Sequence, residues 1–137
     1  MCANQHAGIT GMTFGAFDLC HQGHINLLRQ AKERCDTLIV CISSDNYIIS
    51  NKKHPPLLCW NDRKYLVGLT GYADIIDTQW LNGKKPLIEK YSPNILFVGS
   101  DWNEDTYSGE GLCDVEYLDY TPYISTSWYR ERLNINP

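Results

Sequence analysis

Two short runs in this 137-residue chain, TLIVCIS (Thr37–Ser43) and ILFVG (Ile95–Gly99), are apolar without alternation. A strand with one wet face alternates apolar and polar side chains, so a strand that does not alternate is covered on both faces. Strands of that kind belong to parallel sheets flanked by helices on either side. These two runs therefore restrict the chain to an α/β layer architecture before any other residue is considered.

The rest of the chain supplies the alternation such a fold needs. ITGMTF (residues 9–14) reads as a strand, ADIID (73–77) as a short one, and DVEYL (Asp114–Leu118) as a fifth. Between them, HINLLRQAKERC from His24 spaces Ile25, Leu28, Ala31 and Lys32 as an amphipathic helix does. A second helix is expected near residues 61–69, behind an Asn-Asp start. KPLIEKY carries Pro86 in its first turn, and STSWYRERL follows a Ser125-Thr126-Ser127 cap signal. The segment SSDNYIISNKKHPPLL, polar and broken by Pro55 and Pro56, reads as a connection. The expected fold is a Rossmann-like, doubly wound parallel five-stranded sheet, with residues 1–137 forming one domain.

Composition excludes several functions. A net charge of −4 is the wrong sign for a general nucleic-acid grip, so phosphate binding must be local. No stretch reaches the ~18–20 apolar residues of a membrane span, and MCANQHAGITG is not a secretory signal. The six cysteines form no C-x-x-C pair. They are expected to be reduced thiols of a cytoplasmic protein, serving mostly as small buried hydrophobes.

The chemistry concentrates in GAFDLCHQGH, at the carboxyl end of the first strand, where open parallel sheets bind ligands. His21 and His24 admit three readings. As metal ligands they lack a third donor, since Leu27, Leu28, Arg29, Gln30 and Ala31 are poor zinc ligands. As structural residues they would simply be hydrogen-bonded parts of the fold. As phosphate-binding residues they would act with a helix start, with Gly15 allowing a tight turn and Gly23 letting a phosphate approach the backbone.

TFGAFDLCHQGHINLLRQAK resembles the signature of the small cytidylyltransferases, G-[TVA]-F-D-x-x-H-x-G-H followed by a helix. VGSDW (98–102) is similar to that family's fourth-strand motif, and YISTSWYRERL to its terminal I-S-T motif. The likeness covers the chain beyond its first eight residues and is nearest to the glycerol-3-phosphate cytidylyltransferase type. It implies transfer of a cytidylyl group from CTP to a small phosphorylated alcohol, by direct in-line attack with release of pyrophosphate. It further implies Mg²⁺ held by the triphosphate rather than by protein ligands, and a homodimer.

Carried over residue by residue, the resemblance gives His21, His24, Lys53 and Arg130 catalytic roles. Gly15, Ala16, Phe17, Asp18, Gly23, Gly99, Asp101, Trp102, Ile124, Ser125, Thr126 and Ser127 would bind the nucleotide, with Asp18 bracing the loop. Lys52, Lys85 and Arg63 would meet the acceptor, and Lys84 suits that role equally on spacing. The chain departs from the pattern at Tyr120, Tyr123, Gly71 and Ser100. Two cationic positions are lost there, leaving open an ATP-dependent adenylyltransferase or a weakly catalytic nucleotide-binding regulator.

Overall fold

The computed structural model describes residues 7–99, 111–119, 121–122 and 124–134. Asp101 and Trp102, together with Ser100, Tyr120 and Tyr123, lie outside them. In chain order the elements are β1 (Thr10–Gly15), α1 (Gln22–Glu33), β2 (Thr37–Ser43), α2 (Asp45–Lys52), α3 (Trp60–Leu69), β3 (Ile75–Gln79), α4 (Lys85–Tyr91), β4 (Ile95–Gly99), β5 (Asp114–Leu118) and α5 (Thr126–Arg132). The strands form one sheet in the order β3-β2-β1-β4-β5, with every pairing parallel. The expected doubly wound five-stranded sheet is the architecture found.

Both faces of the sheet are covered, as the unbroken apolar runs require. Along β2, Leu38, Val40 and Ile42 enter one core layer with Leu28, Ala31, Val67 and Phe97. Ile39 and Cys41 enter the other, with Met12, Leu87, Ile88, Leu96 and Val98. Period-two geometry sends alternate residues to opposite layers, and here both layers are dry.

The position of the site follows from strand register. β1 pairs with β2 along its whole length, Thr10↔Thr37 through Gly15↔Ile42. Against β4 it pairs only at Gly11↔Ile95 and Met12↔Leu96. Beyond Met12 the two central strands part, although the Thr13 hydroxyl still donates to the Phe97 carbonyl at 2.9 Å. The chain order reverses across this pair, so the opening lies at the switch point of the sheet.

Three elements differ from the sequence reading. The segment read as a connection contains α2, capped by Ser44, whose Oγ accepts from the Tyr47 amide at 3.1 Å. Only Ile48 of this helix is buried. With no apolar stripe there is no periodic signal, and capping maintains the helix instead. The third strand begins at Ile75 rather than Ala73. Asp74 lies ahead of it, its carboxylate accepting from the Leu38 amide at 2.8 Å and the Lys32 ammonium at 2.7 Å. Helix α1 starts at Gln22, two residues before the expected His24, because His21 is its cap.

The five described cysteines are free thiols, with Cys20, Cys35 and Cys41 buried. Burial pushes the Cys41 thiol up to about 12, so it behaves as a small apolar side chain. Among the described residues no helix is long and apolar enough to cross a membrane.

Candidate active site

The parting of β1 and β4 opens a cleft of about 330 Å³. Its floor is Thr13, Phe14 and Gly15 from β1 with Phe97, Val98 and Gly99 from β4. Ala16, Phe17, His21, Gly23 and His24 form one wall, while Ile124, Ser125, Thr126 and Ser127 border it from the start of α5. Lys52, at the end of α2, also lines it. Segments far apart in sequence therefore converge on one crevice. It brings together the expected Gly15, Ala16, Phe17, His21, Gly23, His24, Lys52, Gly99, Ile124, Ser125, Thr126 and Ser127 with Thr13, Phe14, Phe97 and Val98, which the sequence reading did not single out.

The turn between β1 and α1 is not built as its glycines suggest. Neither Gly15 nor Gly23 has left-handed backbone; that conformation falls on Phe17 (φ 53°), Leu19 (φ 70°) and Cys20 (φ 46°). Gly23 has a different function. A Cβ there would stand 2.9 Å from Cε1 of His21, so the missing side chain is the seat of the His21 ring.

Asp18 is buried at 5% exposure, and its two carboxylate oxygens accept from the Leu57 amide at 2.7 Å and the Leu58 amide at 3.0 Å. It braces the loop against the segment that carries Leu57 and Leu58. Its main-chain carbonyl accepts from the Thr126 hydroxyl at 3.1 Å, tying the histidine turn to α5.

The His21 and His24 rings are stacked, with centroids 3.7 Å apart and planes 17° apart. His21 Nδ1 accepts from the Gly23 amide at 3.1 Å, so the neutral ring carries its proton on Nε2. Burial pushes the His21 imidazole below its usual range, against the pull of the Asp18 carboxylate. His24 is pushed down to about 3, by burial first and then by the nearby His21 and Lys52 charges. Both rings are thus neutral near pH 7. A neutral imidazole can donate one hydrogen bond to a developing negative charge without carrying the desolvation cost of a buried cation. Nδ1 of His24 is buried with no hydrogen-bond partner among the described residues.

Lys53, Lys85 and Arg130 sit differently from expectation. Lys53 closes α2 in left-handed backbone (φ 64°) and donates to the Ser50 carbonyl at 2.8 Å, which turns it back on its own helix. Lys85 is 68% exposed, 4.0 Å from Glu89 on the outside of α4. The neighbouring Lys84 instead lies over the Phe14 ring, 5.4 Å from its centroid, beside the cleft floor, and burial pushes its ammonium below the usual range. Arg130 does not line the cleft. It is buried on the inner side of α5, donating from Nη2 to the Pro55 carbonyl at 2.8 Å.

Arg63, expected at the acceptor, is wholly buried, and its guanidinium is committed to main-chain carbonyls and Asp45. A side chain with no exposed surface cannot meet a diffusing acceptor. Its spacing in NDRK gives no hint of this, because burial is decided by α3 packing over the ends of β1 and β2. Gly71, one of the departures, takes left-handed backbone (φ 77°) just after α3, which accounts for a glycine at that position. Tyr129 was also missed. Its ring stacks on His21 at 5.9 Å between centroids, and only the three-dimensional seat of α5 brings the two together.

A parallel sheet carrying a stacked, neutral histidine pair and a helix start over its switch-point cleft is built to take a phosphate-bearing ligand. The chain belongs to the cytidylyltransferase-like family, whose sequence pattern matches residues 12–132. It is 34% identical over 125 residues to the glycerol-3-phosphate cytidylyltransferase of Staphylococcus aureus, covering 89% of this chain and 92% of that one. To the glycerol-3-phosphate cytidylyltransferase of Bacillus subtilis it is 32% identical over 124 residues, covering 89% and 95%. The bifunctional protein HldE of Granulibacter bethesdensis is 34% identical over 129 residues, but this chain spans only 26% of its length. The crystal structure of a lipopolysaccharide core biosynthesis protein from Thermoplasma volcanium shares the fold, with a TM-score of 0.69 at 22% identity over 85% of this chain and 98% of that one. By family this chain is a transferase of the nucleotidyltransferase class.

Proposed function

We propose that the protein transfers the cytidylyl group of CTP to a small phosphorylated alcohol of the glycerol 3-phosphate kind. The observation that carries this reading is the neutral His21–His24 stack on the cleft wall, in a chain about one-third identical to glycerol-3-phosphate cytidylyltransferases. In this reading an oxygen of the acceptor's phosphate attacks the α-phosphorus in line. The bond from that phosphorus to the β-bridging oxygen breaks, and pyrophosphate leaves with the electron pair. No covalent enzyme intermediate forms, so the protein contributes positioning and charge stabilisation. Nε2–H of His21 donates to the phosphoryl oxygens as charge builds, and Lys52 adds a positive charge at the same cleft. Lys84, beside Phe14, takes the acceptor-facing role in place of Lys85.

Mg²⁺ enters this reading bound to the triphosphate. Among the described residues no group of three His, Cys, Asp or Glu side chains could hold a metal ion. Among the described residues, the Asp18 carboxylate, whose charge acts on His21, is already committed to two amides. The donor set therefore suits a cation brought in on phosphate oxygens, where it supplies charge neutralisation. The homodimer belongs to this proposal as well, and sedimentation at assay concentration tests it.

The deciding experiment offers CTP or ATP with a panel of phosphorylated polyols and reads pyrophosphate release, with the product's mass as a second measure. A CDP-alcohol formed from glycerol 3-phosphate is the expected product. Turnover with ATP and not CTP would replace the cytidylyl reading by an adenylyl one. Binding of CTP without turnover on any acceptor would leave a regulatory nucleotide-binding protein.

A further inference from the structure

The histidine turn holds three left-handed residues, Phe17, Leu19 and Cys20, and none of them is glycine. Such backbone persists only where the surroundings over-determine it. One buried side chain ties the start of this turn to three other segments. The Arg63 guanidinium donates from Nη1 to the Ala16 carbonyl at 2.8 Å and to the Ser43 carbonyl at 2.7 Å. Its Nε donates to the Leu58 carbonyl at 3.0 Å, and its Nη2 to the Asp45 carboxylate at 2.5 Å. Ala16 opens the strained turn, and Ser43 ends β2. Leu58 ends the segment latched onto Asp18, while Asp45 begins α2, whose last residue is Lys52.

We propose that Arg63 is a positioning residue, joining the histidine turn to the lysine-bearing helix α2 so that His21, His24 and Lys52 share one cleft. It does not line the cleft, so it acts through these groups. The planar guanidinium is what makes this possible. It reaches four acceptors in fixed directions, which the single ammonium point of a lysine cannot do. Removing it also leaves buried strand-end carbonyls without a donor.

The kinetic part of the test rests on the cytidylyl reading, and the spectroscopic part does not. Wild type, Arg63→Lys and Asp45→Asn are prepared with ¹³C-labelled histidine, and the Cε1–H resonances of His21 and His24 are recorded without ligand. In Arg63→Lys both resonances move and kcat falls ~10–100-fold, the pattern of lost alignment, while KM for CTP rises ~3–10-fold because the tie to α2 is weakened with the rest. Asp45→Asn weakens only the tie to α2, because the amide keeps an acceptor oxygen but loses the charge. It leaves the histidine resonances in place and weakens CTP binding ~3–10-fold. A folded Arg63→Lys with unmoved resonances overturns the proposal. If Arg63→Lys does not fold, Asp45→Asn decides, and unchanged CTP binding overturns it. Should wild type transfer no cytidylyl group at all, the cytidylyl reading fails while the resonances still report on Arg63.

Discussion

The turn after β1 and the helix after β2 border the same cleft but are finished to different degrees. The turn is held from several directions: Asp18 by the amides of Leu57 and Leu58, Ala16 by Arg63, the His21 ring by the Gly23 amide and the face of His24. Helix α2 buries one residue, Ile48, and ends in exposed lysines. Solvation explains the contrast. Neutral imidazoles can be locked into a half-buried wall at little cost, whereas an ammonium fixed beside them would lose its hydration before any phosphate arrived. At this wall the site therefore prebuilds its neutral donors and leaves the Lys52 charge in water.

The strongest way to break this comparison is to remove the prebuilt part. His24→Ala or His21→Ala is expected to lower kcat by ~10²-fold or more, the scale of one lost transition-state donor, with the fold intact by circular dichroism. Activity within ten-fold of wild type in both variants would mean that the stacked pair is packing and that the cleft's chemistry lies elsewhere.

A second test reads the turn through stability alone. In the unfolded chain the imidazoles titrate near their ordinary value of 6.5, whereas in the folded protein His24 is pushed down to about 3 and His21 is also lowered. As pH falls below about 6.5 the unfolded state takes up protons that the folded state refuses, so stability is lost on the acid side. The slope approaches ~1.4 kcal/mol per pH unit for His24, with His21 adding to it. Urea unfolding between pH 7.5 and 5 measures this, in a window above the range where unfolded carboxylates titrate. His24→Asn, which has nothing to titrate, should flatten most of the slope. If wild type is equally stable across that range, the rings are less buried than the structure places them.

How much of this was legible beforehand follows the same division. Elements that bury a continuous apolar stripe announced themselves. β2 and β4 stand at the expected residues because their patterning and their packing are the same fact, and α4 and β5 stand where Pro86 and the alternation of DVEYL placed them. The place of the histidine wall was legible too, because GAFDLCHQGH follows one strand and precedes a helix, but the His21 cap and the left-handed Phe17, Leu19 and Cys20 were not. What escaped was whatever depends on where distant surfaces meet. Helix α2 has no stripe to read. Arg63 and Arg130 carry charge and so suggest a ligand, yet α3 and α5 turn both inward against carbonyls of other segments. Lys84 and Lys85 are indistinguishable in NGKKPL, and only the first turn of α4 decides which one faces Phe14.

The same limit applies to Lys52 and Lys53, and it gives the smallest and most discriminating prediction. The two are adjacent, chemically identical, and both suited by sequence to close over phosphate. The helix ends between them. Lys52 is the last residue of α2 and borders the cleft, near enough for its charge to depress His24. Lys53 takes left-handed backbone, and that reversal sends its ammonium back to the Ser50 carbonyl. Lys52→Ala should raise KM for the triphosphate by ~3–10-fold, about 1 kcal/mol for a partly solvated charge–phosphate contact, whereas Lys53→Ala should stay within ~2-fold. Steady-state kinetics at two salt concentrations sharpens the result, because a contact made from water weakens with ionic strength. Equal effects in the two variants would mean that the helix end rearranges when nucleotide binds. The comparison between a finished turn and an unfinished helix would then describe the empty protein only.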